Sequence, residues 1–104
     1  MDESYEQAFD RLRQIQSEIE RMKAKLRQKT IAVEHGPVRM LMNGFQEVMD
    51  VSFAPGSVPN PRSLEDAVKS AVNESVSKSR NMVMEEMSRL MGGMLPPGFG
   101  PMFD

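Results

Sequence analysis

Few side chains in this sequence could carry chemistry. His35 is the single histidine, and an unperturbed imidazole is the side chain that exchanges a proton near neutrality. It stands beside the turn pair Gly36-Pro37, where an exposed loop residue is expected rather than a catalytic base. Cysteine is absent, which removes thiolate nucleophiles, thiolate metal sites and disulfides together. No serine lies in a G-x-S-x-G setting. Gly92-Gly93 and Gly98-Phe99-Gly100 follow a helical pattern instead of opening one, so neither reads as a phosphate-cradling loop. The acid pairs Glu65-Asp66 and Glu85-Glu86 are sequence neighbours that point apart on a helix and read as solvated faces. Met84-x-x-Met87 and Met91-x-x-Met94 have a thioether spacing suited to Cu(I). With no Cys or His nearby, they read instead as a deformable apolar surface. These readings argue against an enzyme, and no cofactor or metal is expected.

The basic residues are the remaining signal. Arg21, Lys23, Lys25, Arg27 and Lys29 fall in a stretch without an acid. On a helix, Arg21, Lys25 and Lys29 form one i+4 row, and Lys23 and Arg27 a neighbouring one. Lys69, Lys78, Arg80 and Arg89 would extend that surface from a second helix. Such rows can contact phosphates, which supply salt-dependent and largely sequence-independent affinity. Charge alone favours the plainer reading of bases that balance a helix dipole in solvent.

The elements that must position these bases follow from periodicity. Tyr5, Leu12, Ile19 and Leu26 recur every seven residues, with Ala8, Ile15 and Met22 three after the first three. This a/d seam predicts a helix over residues 2–29 that ends where Lys29 takes the next d position. Strands are predicted at about 30–35, 37–43 and 45–53, joined at Gly36-Pro37 and at Asn43-Gly44, a strong type I′ hairpin signal. Val38, Met40 and Met42 share one face of the second strand; Phe45, Met49, Val51 and Phe53 share one face of the third. Residues 54–62 contain Pro55, Pro59 and Pro61 and are expected to form a loop. Ser63 is the expected N-cap of a second helix over 63–91, stopped by Gly92-Gly93. Residues 92–104 form a Pro/Gly-rich apolar tail.

Length and charge bound the rest. The sequence has 104 residues, with 13 Lys+Arg against 15 Asp+Glu for a formal net charge of −2. One domain spanning 1–104 is expected. The charge argues against an indiscriminate polycation. No apolar run approaches the roughly 20 residues of a membrane span, and the acidic start does not resemble a signal peptide, so a cytoplasmic protein is expected. Two helices of this length each reach on the order of 40 Å. They cannot close around three short strands without leaving apolar surface wet. A homodimer is therefore expected over the alternative of a monomer whose two helices pair with each other, with Leu12, Ile15, Ile19, Val38, Met40, Met42, Met49 and Val51 at its interface.

Taken in order, several segments resemble one known family. They are the heptad helix, Gly36-Pro37-Val38-Arg39 entering a strand, Asn43-Gly44, and a strand ending at Pro55. Then come Leu64-Glu65-Asp66 opening the second helix, Asn73 within it, and Gly93-Met94-Leu95-Pro96-Pro97-Gly98-Phe99. Together they resemble the YbaB/EbfC family of bacterial nucleoid-associated proteins over nearly the whole chain. The resemblance implies an α+β, tweezer-like homodimer whose sheets form the body and whose helices form the arms. It implies non-catalytic binding of duplex DNA in the nucleoid, serving its organisation or gene regulation, with no cofactor. By the same resemblance, DNA contact falls on Arg21, Lys23, Lys25, Arg27 and Lys29, and on Lys78, Arg80 and Arg89. The chain departs from the family in a tight turn at His35-Gly36, an acidic first ten residues and a Met-rich second helix. The alternative is a dimeric adaptor or small chaperone that holds other proteins through the Met-rich helix and the tail.

Overall fold

A computed structural model describes residues 3–56 and 60–94 of the chain. The element order is α1 (Glu3–Gln28), β1 (Thr30–His35), β2 (Val38–Asn43), β3 (Val48–Phe53) and α2 (Pro61–Met94). The strands form an antiparallel sheet in the order β1-β2-β3, as connections this short require. The described chain is rod-like, with principal extents of 71 × 25 × 16 Å and a radius of gyration of 20.0 Å. A closed globule of about 100 residues would have a radius near 13 Å, so the long helices extend past the body.

The core lies between the sheet and α2. Val33, Val38, Met40 and Ala71 form its centre, with Ile31, Leu64, Ala67 and Val68 packed around them. Alternation along β2 sends Val38, Met40 and Met42 to this side, and all three are buried. Along α2 the inward stripe runs Ala71, Ser75, Ser79, Met82 and Glu86, all buried, at spacings of three and four residues. Ala71 and the two serines are small, so the α2 backbone lies close to the sheet. The Ser79 hydroxyl donates to the Asn43 carbonyl at 2.7 Å and accepts from Gln46 Nε2 at 2.9 Å. Ser75 Oγ is buried without a hydrogen-bond partner.

The β2–β3 connection is wider than a two-residue type I′ turn. Asn43 N donates to the Glu47 carbonyl at 3.0 Å and Gln46 N to the Asn43 carbonyl at 3.3 Å, with Gln46 at φ +57°. A three-residue loop whose last residue is left-handed has this pattern. The fully buried Asn43 organises it. Its Oδ1 accepts from the N–H groups of Phe45 and Glu47. Its Nδ2 donates to the Arg27 carbonyl at 3.1 Å and to Glu47 Oε1 at 2.9 Å. A register shift follows between Leu41 and Met42, so Met42 pairs with Val48 and Met49 becomes the extra residue of a bulge. The third strand therefore starts at Val48 rather than Phe45.

Both ends of α2 also differ from the local reading. Asn60, not Ser63, is the N-cap: its Oδ1 accepts from Ser63 N at 2.8 Å. Pro61 takes the first helical position, where its missing N–H costs nothing. At the other end the helix continues through Gly92-Gly93 to Met94. The expected tail from residue 95 onward lies outside the described residues.

Candidate nucleic-acid interface

Helix α1 leaves the sheet from its C-terminal end, and α2 runs back along it in the opposite direction. Leu26 is buried, Ile15, Ile19 and Met22 are half-buried, and Phe9 and Leu12 are exposed. The apolar seam is thus filled only in its second half. This brings residues 18–29, the end of α1 and the residue that follows it, beside residues 79–93 of α2, where most of the expected phosphate-binding bases stand.

The centre of the region is Glu86, the buried charged side chain among the described residues, at 6% exposure. Lys25 Nζ approaches its Oε2 at 3.1 Å, Lys29 Nζ its Oε1 at 3.3 Å and Arg89 Nη1 its Oε1 at 2.8 Å. Two helices therefore aim three cations at one carboxylate. Burial pushes the Glu86 carboxyl up, but hydrogen bonds from Lys25 and Lys29 and the charges of Lys25 and Arg89 outweigh it. The group is held below the usual carboxylate range. Arg21 and Glu18 line the same open cleft, of about 420 Å³, together with Met22, Lys25, Glu86 and Arg89.

A second cleft, of about 500 Å³, opens on the other side of the crossing, with Met22, Leu26, Phe45 and Met84 on its walls and Lys23 and Arg80 among its lining. Lys23 also pairs with Glu20 at 3.4 Å. The Arg27 guanidinium carbon lies 5.2 Å from the centre of the Phe45 ring, within cation–π range. Arg21, Lys23, Lys25, Arg27, Lys29, Arg80 and Arg89 thus gather at one crossing.

Lys78 stands apart. It pairs with Glu74 at 3.0 Å, and Glu74 also holds His35 Nε2. Hydrogen bonds from Lys78 and then His35 keep the Glu74 carboxyl below the usual range. His35 is therefore no free loop residue: it ends β1, is half-buried and ties that strand to α2.

Sequence reasoning missed Glu86, which it placed on a solvated face. The available signal was its position four residues after Met82 and four before Leu90, on the apolar stripe. Val38, Met40 and Met42, expected at a subunit interface, are buried within the chain's own fold, Val38 and Met40 against α2. On β3, by contrast, Met49, Val51 and Phe53 are exposed. Among the described residues no group of three His, Asp or Glu side chains is arranged to hold a metal ion, and no helix is long and apolar enough to cross a membrane.

Comparison with known proteins gives a consistent result. Residues 1–94 match the model of the YbaB/EbfC DNA-binding family. A nucleoid-associated protein of Thermoanaerobacter sp. (strain X514) is 35% identical over 89 residues, covering 82% of this chain and 80% of that protein. A nucleoid-associated protein of Anaeromyxobacter dehalogenans is 39% identical over 80 residues, covering 73% of this chain and 78% of the relative. The crystal structure of an uncharacterized protein from Helicobacter pylori superposes with a TM-score of 0.64 at 21% identity, covering 92% of this chain and 99% of that one. That likeness shows the shared fold.

Proposed function

The chain belongs to the YbaB/EbfC DNA-binding family, and on that premise we propose that it is a nucleoid-associated protein that grips duplex DNA through its paired helices. The observation that carries the site is the convergence of Lys25, Lys29 and Arg89 on one point, with Arg21 in the same cleft. Lys23 and Arg80 add positive charge at the second cleft, with Arg27 beside Phe45; Lys78, held by Glu74, makes an outer contact. Side chains of this kind neutralise phosphates and read no base sequence. The role is binding without catalysis, in the cytoplasm at the nucleoid. The family match favours it over the adaptor reading.

The functional unit in this proposal is a homodimer. Val51 and Phe53 pair with the buried Met40 and Val38 but remain exposed, and β3 has an unpaired edge. A second copy is the occupant that offers the same apolar strip and edge in return. In this proposal Met49 and Val51 lie at the interface, as the sequence led us to expect, joined by Phe53. Leu12, Ile15 and Ile19 would extend it along the arms, whereas Val38, Met40 and Met42 support it from within each subunit.

The test is a gel shift with unrelated duplexes across a salt series. Binding should weaken steeply with salt on every duplex. Reversing the charge of Arg21, Lys23, Lys25 and Arg27 together should weaken it on all of them. Undiminished binding by that variant would overturn the site, and no binding by the unmodified chain at low salt would overturn the function.

A further inference from the structure

The carboxylate of Glu86 serves none of the roles described so far, and its surroundings are those of a bound phosphate. Both of its oxygens are engaged, by cations from two helices, at 2.8 to 3.3 Å. Charge-assisted contacts from several cations are what a protein offers an oxyanion. The three cations are themselves 53%, 41% and 62% exposed, so their outward donors face solvent while the carboxylate sits behind them. Arg21 and Glu18 are the other charged groups on the cleft.

We propose that Glu86 is an internal competitor for DNA: its carboxylate holds Lys25, Lys29 and Arg89 in the place of a backbone phosphate, and thereby limits affinity for the duplex. This rests on the DNA-binding reading above. A phosphate entering the cleft must share cations already neutralised in part, meeting a net charge of +2 from these four side chains instead of +3.

The size of the effect follows from counterion release. Each neutralised phosphate contributes a slope of about −0.9 in log affinity against log salt. Restoring one full positive charge at the cleft should therefore steepen the slope by about one. At roughly 0.1 M salt it should tighten binding on the order of tenfold. A purely structural Glu86 predicts the reverse, because loss of the bridge between α1 and α2 would loosen the cationic surface and weaken binding.

The experiment measures fluorescence anisotropy of a labelled duplex titrated with Glu86→Gln and with the unmodified chain, over about 50 to 200 mM salt. Glu85→Gln, an equal change of formal charge at an exposed neighbour, is the matched control. Tighter binding and a steeper slope for Glu86→Gln, with little change for Glu85→Gln, would support competition. Unchanged or weaker binding by Glu86→Gln with its helical circular dichroism intact would overturn it. Equal gains in both variants would also overturn it, since net charge alone would then explain the result. Should Glu86→Gln lose its helical signal, Glu86→Asp keeps the charge but withdraws it toward α2. Competition then requires a smaller gain in affinity, and a loss would overturn it. Failure of the unmodified chain to bind at low salt would remove the DNA reading and this inference with it.

Discussion

Gly44 donates its N–H to the Leu26 carbonyl at 2.8 Å, and a Cβ at Gly44 would stand 2.8 Å from the Cβ of Leu26. The last turn of α1 is thereby seated on the β2–β3 loop by a contact that admits no side chain. Asn43 reinforces it by donating to the carbonyl of Arg27. The direction in which α1 leaves the sheet, and so the position of its bases against α2, is set at these two residues.

Gly44→Ala should therefore destabilise the protein. The added methyl meets Leu26 backbone and side chain together, and overpacking of this kind costs about 1–3 kcal/mol. A lower urea midpoint with an unchanged m-value would register it. A stability equal to that of the unmodified chain would show that α1 shifts freely on the loop.

The two buried serines of α2 should respond in opposite directions. Ser79 has partners in the Asn43 carbonyl and the Gln46 amide, so Ser79→Ala should cost about 1–2 kcal/mol by removing both hydrogen bonds. Ser75 Oγ has no such partner, and removal of an unsatisfied buried hydroxyl should leave stability unchanged or raise it by up to about 1 kcal/mol. Thermal melts of the two variants side by side would separate these outcomes.

Acid should weaken the fold through two carboxylates. Glu86 and Glu74 both ionise more readily in the folded chain than at their ordinary value of 4.5. A depressed pKa means that the unfolded chain binds protons first on acidification. The stabilisation is thus fully present above about pH 4.5 and is lost as pH falls through the lower folded values. Urea midpoints should be level from neutrality to about pH 5 and decline below that, and the decline should be shallower in Glu86→Gln and in Glu74→Gln. A decline of unchanged steepness in both variants would assign acid sensitivity to other groups.

The order of elements was legible because it is local. Seven-residue spacing marks α1, β-branched residues mark β1, and alternation at Val38, Met40 and Met42 marks the buried face of β2. Other details depended on pairings that spacing does not record. Asn43-Gly44 announces a turn, but Asn43 is there to bind Arg27 and Glu47, Gly44 to clear Leu26, and the left-handed residue is Gln46. Pro61 looks like a breaker until Asn60 is seen to cap the helix ahead of it. Of the site, the bases of α1 were legible as a charge run. Their partner Glu86, distant in the sequence, was not, because the fold alone brings it beneath Lys25 and Lys29.

Association through β3 gives the last expectation. Val51 is 42% and Phe53 47% exposed although their strand neighbours Met40 and Val38 are buried. Helix α2 packs chiefly over β1 and β2, and this strip is left partly open. Val51→Glu places a charge on it while leaving the core residues in place. The variant should have the mass of a single chain by light scattering, with its helical circular dichroism retained, and the unmodified protein, as the proposed dimer, should have twice that mass. Because two linked cationic sites bind one duplex more tightly than either alone, separation of the subunits should also reduce DNA affinity by about 10²-fold or more. A variant that stays dimeric would move the interface away from β3. One that becomes monomeric yet binds DNA as well as before would show that a single pair of helices suffices for the grip.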